Sequence, residues 1–104
     1  MFTRVKESRD SEYLQIVENY RDGDRVRQRM VLYVGPYWSI DSALKGMARD
    51  LKRMRRAGDA QREADELASK LKTLKRLVKE HPDMVERDLL RAERYRLRGG
   101  WQLQ

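Results

Sequence analysis

The chain has no cysteine. Disulfides and thiolate metal sites are excluded, and the redox compartment is left open. It has a single histidine, no glycine-rich phosphate loop and no motif at metal-ligand spacing. Asp83, Glu86 and Asp88 lie close together, but acids at a helix start are ordinary capping chemistry. The sequence therefore reads as non-enzymatic, with no cofactor and no small-molecule substrate. Long apolar runs are also missing. None approaches the roughly 18 residues of a membrane span, and Met1-Phe-Thr-Arg-Val-Lys6 lacks the apolar stretch of a signal peptide. A cytoplasmic location and no membrane partner are the expectations. Acid is scarce relative to base: 17 Asp and Glu stand against 24 Lys and Arg, a net charge of +7. That balance favours nucleic acid or another acidic partner. With 104 residues, 39% of them apolar, the chain is expected to be one small domain, or part of a larger protein, with a modest core and no large enzyme cavity.

What is present begins with Tyr13-Leu-Gln-Ile-Val-Glu-Asn-Tyr-Arg-Asp-Gly-Asp-Arg-Val-Arg-Gln-Arg-Met-Val-Leu-Tyr-Val34. Two strand-like runs flank an Asp22-Gly23 turn, and Phe2 to Lys6 supplies a first short strand. A two-residue Asp22-Gly23 loop pairs Tyr20 with Arg25 and Glu18 with Arg27. Alternation then puts Leu14, Ile16, Glu18 and Tyr20 on one face with Arg25, Arg27, Arg29, Val31 and Tyr33. Tyr13, Val17, Val26, Met30 and Leu32 take the other face, read as the core side. Leu14 and Ile16 sit on the basic face, which requires a helix to cover that part of the sheet.

Gly35-Pro36 ends the sheet, and Ser39 or Asp41 can cap the next element. Ile40, Ala43, Leu44, Met47, Leu51 and Met54 keep a helical period to about Ala57. Opposite them Lys45, Arg49, Lys52 and Arg56 form a cationic stripe, with Arg53 and Arg55 beside it and Asp50 the one acid within that stretch. Such a stripe can track phosphates. Gly46 inside the helix suits a close approach to the sheet. Gly58 suits a left-handed terminus, and Asp59 can cap a second helix. Ala60, Ala64, Leu67, Leu71, Leu74 and Val78 make a narrow seam of coiled-coil type, either a core contact or a dimer contact. Acids at the start of that helix and lysines at its end complement its dipole. Pro82 opens a third helix with Val85, Leu89 and Ala92 inward and its arginines in surface pairs. His81-Pro82-Asp83 matches the J-domain tripeptide, but the Tyr-x-x-Leu-Gly signature of that family is missing, so the tripeptide is read as a helix break.

The expected fold class is α+β: a three-stranded antiparallel meander (1–35), a basic amphipathic helix (39–57), a seam-forming helix (59–79) folded back on it, a third helix (82–98) and a tail (99–104). Candidate DNA contacts are Arg25, Arg27, Arg29, Lys45, Arg49, Lys52, Arg53 and Arg56. Candidate oligomer contacts are Leu67, Leu71, Leu74 and Val78, which would make a homodimer. Tyr20, Tyr33, Tyr37 and Trp38 lie around the hairpin, as stacking platforms or as part of a small core.

The segment from Met1 to about Gly35 resembles the N-terminal region of bacterial insertion-sequence transposases of the DDE, RNase H-like kind. The matching residues are Phe2-Thr-Arg-Val-Lys6, Tyr13-Leu-Gln-Ile-Val-Glu-Asn-Tyr-Arg21, Gly23, Arg25-Val-Arg-Gln-Arg29 and the apolar run from Met30 to Gly35. Gly35-Pro-Tyr-Trp38 departs from the family's Gly-x-Leu-x continuation. The resemblance implies a small antiparallel sheet used in binding element ends or in assembly. The three catalytic carboxylates of that family have no counterpart, so strand transfer is not implied. The expectation is a stand-alone or truncated relative that keeps DNA recognition without chemistry. The alternative is a helical protein–protein module whose basic faces meet an acidic partner.

Overall fold

A computed structural model describes residues 1–9, 11–58 and 60–97. The fold is α+β. Strands β1 (Phe2–Ser8), β2 (Ser11–Asp22) and β3 (Arg25–Gly35) form an antiparallel sheet in the order β1-β2-β3. Helices α1 (Ile40–Ala57), α2 (Gln61–Glu80) and α3 (Pro82–Leu97) follow. The expected tail lies outside the described residues.

The hairpin turn is displaced by one residue from its expected place. Asp22 pairs with Arg25, so the two loop residues are Gly23 and Asp24. Gly23 has φ +64°, and among the described residues no non-glycine residue has a positive φ. A turn with glycine first and a negative φ second is of the II′ kind. An Asp22-Gly23 loop of type I′ would have forced Asp22 into the left-handed region. Tyr20 consequently faces Arg27, and Glu18 faces Arg29.

The expected core side of the sheet is also corrected. Leu14 and Ile16 are fully buried, whereas Val26 and Met30 are 63% and 52% exposed. The pairing shifts register at Leu14/Gln15 and again at Ile16/Val17, where Val34 and Val31 are passed over. Each one-residue shift flips the following side chains to the other face. Leu32, not Val31, therefore sits opposite Ile16 on the helix-covered side. Val17, expected inside, is indeed buried, but it pairs with exposed Met30.

One core cluster joins Leu14, Ile16 and Val34 of the sheet to Ile40, Met47 and Leu51 of α1, Leu71, Leu74 and Leu77 of α2, and Met84 of α3. Each fully buried aliphatic side chain contributes about 1.5–3 kcal/mol. The α2 seam is thus used inside the chain: Leu71 and Leu74 are buried, and Leu67 and Val78 pack on the same cluster.

The helix ends follow the sequence. Ser39 caps α1 through a reciprocal box: its Oγ accepts from the Ser42 N–H at 3.1 Å, and the Ser42 Oγ accepts from the Ser39 N–H at 3.1 Å. Gly58 ends α1 at φ +75°. The α2 cap position is Ala60, which has no side-chain cap; the expected cap, Asp59, lies outside the described residues. Gly46 approaches Tyr37 of the β3–α1 loop and not the sheet. A Cβ there would lie 2.6 Å from the Tyr37 ring.

In α3 the inward residues are Met84, Asp88 and Ala92. Leu89, expected inside, is 55% exposed. Asp88 takes that interior place because it ties three elements together. Its carboxylate accepts from Thr3 Oγ1 of β1, from the Ile40 N–H at the start of α1 and from Arg91, each at 2.8 Å. Arg91 also donates to the Trp38 carbonyl at 2.9 Å. This pair is a tertiary tie and not the surface pairing expected of the helix.

Candidate nucleic-acid interface

β1 pairs with β2 only as far as Val17. Beyond it Glu18–Asp22 and Arg25–Arg29 continue as a two-stranded ribbon. Five residues at about 3.3 Å each carry it roughly 16 Å past the end of β1. Both of its faces are exposed. The molecule is accordingly elongated, 50 × 35 × 28 Å.

Direct pairing places Arg25, Arg27 and Arg29 on one face with Asp22, Tyr20 and Glu18. Arg27 Nε lies 2.9 Å from the Asp22 carboxylate. Arg29 donates through Nε to Glu18, and its guanidinium lies 5.2 Å from the centre of the Tyr20 ring. Two of the three arginines are therefore held and partly neutralised. Arg25, at the tip, has no ion-pair partner among the described residues. The reverse face of the ribbon carries Val26, Met30, Asn19, Arg21 and Gln28; Gln28 accepts from Arg4 at 3.1 Å.

α1 holds the second group. Its apolar face is turned to the core, so Lys45, Arg49, Lys52, Arg53 and Arg56 face solvent. Lys45 pairs with Asp41 at 3.1 Å, and Arg53 with Asp50 at 2.9 Å; Arg49 is 3.9 Å from Asp50. Lys52 and Arg56 have no ion-pair partner among the described residues. Both enter a groove between α1 and α2, where Arg55 and Lys75 join them over a floor of Ala48, Leu51 and Leu71. Among the described residues no carboxylate lines this groove. Lys75 was hidden in the sequence among lysines that complement the α2 dipole. Only the antiparallel packing of α1 on α2 shows its place beside Lys52.

The aromatics divide. Tyr20 stays on the ribbon under Arg29. Tyr33 stacks obliquely on Tyr13 at 5.7 Å, with Lys70 Nζ 5.3 Å from its ring centre. Burial, then the neighbouring Tyr13, raises the Tyr33 pKa. Tyr37 lies between Gly35 and Gly46, and its pKa is raised by burial first and then by the Asp50 carboxylate, against Arg49. Among the described residues no group of His, Asp and Glu could hold a metal ion. No described helix is long and apolar enough to cross a membrane.

No curated protein and no solved structure matches the chain. The family model for the IS1634 family transposase N-terminal domain matches residues 2–93, so the match continues through the sheet, α1, α2 and most of α3. The chain belongs to that family of transposase N-terminal domains.

Proposed function

We propose that the chain is a non-catalytic DNA-binding domain of a mobile-element protein. The observation that carries this reading is the arginine ribbon, which stands clear of the core with both faces open. A two-stranded ribbon fits the major groove of B-form DNA. Arg25 at the tip is free to reach a base edge or phosphate, while Asp22 and Glu18 hold Arg27 and Arg29 in fixed orientation. The α1 stripe and the cationic α1–α2 groove supply phosphate contacts, which position a protein without reading sequence. The membership of the chain among transposase N-terminal domains and its net charge of +7 agree with this division of labour.

The test is fluorescence anisotropy with a labelled duplex across a salt series. Arg27→Ala/Arg29→Ala should weaken binding at low salt. Lys52→Ala/Arg56→Ala should weaken it and flatten the plot of log affinity against log salt by about 0.9 for each phosphate that the variant no longer neutralises. Affinity and slope unchanged in both variants would overturn the proposal.

A further inference from the structure

α3 reverses the usual arrangement of an amphipathic helix. It buries Asp88 and leaves Leu89 and Leu90 55% and 60% exposed. On the α2 seam, by contrast, the leucines are used within the chain. Among the described residues, Leu89 and Leu90 are thus the apolar part of the outer face of α3.

The charges around Leu90 indicate what covers it. Glu86 precedes Leu90 by four residues and Arg94 follows it by four. Arg87 and Glu93 stand three residues away on either side. With 3.6 residues per turn, Glu86, Leu90 and Arg94 lie along one stripe of the helix. The stripe is acidic at one end and basic at the other. Laid antiparallel on a second α3 about a two-fold axis at Leu90, each Glu86 meets the partner's Arg94. A two-fold contact needs such self-complementarity. A parallel arrangement would put Glu86 against Glu86.

We infer that α3 is the contact through which two copies of this chain associate, with Leu89 and Leu90 at the centre and the Glu86–Arg94 pairs at the ends. Sixteen residues of helix span about 24 Å and, at a width of about 10 Å, offer on the order of 240 Å², less than the roughly 800 Å² per partner of a standard interface. The dimer is accordingly weak and concentration-dependent.

Sedimentation equilibrium of the full chain without DNA, over a concentration series, tests this. The mass should rise from one chain towards two. Leu90→Asp should remain monomeric, with an unchanged circular dichroism spectrum. Glu86→Arg meets Arg94 twice by symmetry and should weaken association roughly tenfold. Glu86→Arg combined with Arg94→Glu should restore it. A wild-type chain that stays monomeric throughout, a Leu90→Asp chain that associates as the wild type does, or a double variant no better than Glu86→Arg alone overturns the inference.

Discussion

Replacing Asp88 by alanine is the most demanding test of how this fold is held together. Asp88 is 1% exposed and accepts from Thr3, the Ile40 N–H and Arg91, each at 2.8 Å. The truncation leaves three donors facing a void, among them a guanidinium whose other partners are the Trp38 carbonyl and, at 3.4 Å, Thr3 Oγ1. Removing one member of a buried ion pair costs about 3–5 kcal/mol, chiefly because the other member is left uncompensated. For a domain of this size the total stability is of the order of 5–15 kcal/mol. A loss of that size lowers Tm by about 12–20 °C at roughly 4 °C per kcal/mol. Asp88→Asn keeps one acceptor but turns an amide donor towards either the Ile40 N–H or the Thr3 and Arg91 pair. It should cost about 1–3 kcal/mol. Asp41→Ala, which breaks an exposed pair with Lys45, serves as the control and should stay within about 1 kcal/mol. The assay is urea unfolding followed by circular dichroism, with the m-value checked for constancy. If Asp88→Ala loses less than about 1 kcal/mol, the carboxylate does not hold β1, α1 and α3 together and the reasoning fails.

Two further outcomes follow from packing around Tyr37. An Ala in place of Gly46 gains about 1 kcal/mol of helix propensity, yet its Cβ would lie 2.6 Å from the Tyr37 ring. The ring is confined on its other edge by Gly35, so Gly46→Ala should destabilise by about 1–3 kcal/mol net of propensity; a higher Tm would contradict this. The raised pKa of Tyr37 means that its neutral form is favoured in the folded state. The stability it contributes is complete below the unfolded tyrosine value near 10 and is lost as pH climbs through the folded value. In an ultraviolet titration Tyr37 should ionise after the exposed tyrosines. Tyr37→Phe should shrink the trailing component, to which Tyr33 also contributes, and reduce the alkaline loss of stability; a trailing component unchanged by the substitution would refute it.

Element types were legible because local signals agreed. The 3.6-residue period from Ile40, the glycine at 58 and the proline at 82 marked the helices and their breaks. The alternation around Gly23 marked the hairpin. The face of the sheet was not legible, because it depends on two register shifts that leave no mark in residue type. Leu14 and Ile16 on the arginine side were the one clue that alternation had been carried too far along β3. The interior of α3 departs from its periodicity for a related reason. Periodicity sends leucine inward, whereas two of the partners that hold Asp88 in that position lie 85 and 48 residues away.

The candidate interface divides in the same way. Residue order alone makes the chain basic, alternates three arginines on one strand, and sets a cationic stripe opposite the apolar face of α1. These are properties of short spacing, and the geometry of a single strand or helix is enough to fix them. Tertiary structure decided that the ribbon outruns β1, that Asp22 and Glu18 restrain two of its arginines, and that Lys75 joins Lys52 and Arg56 across a helix pair. It also decided that the leucines of α2 belong to the core while those of α3 face outward. Each of these depends on which surface meets which, and that is set by burial summed over the whole chain.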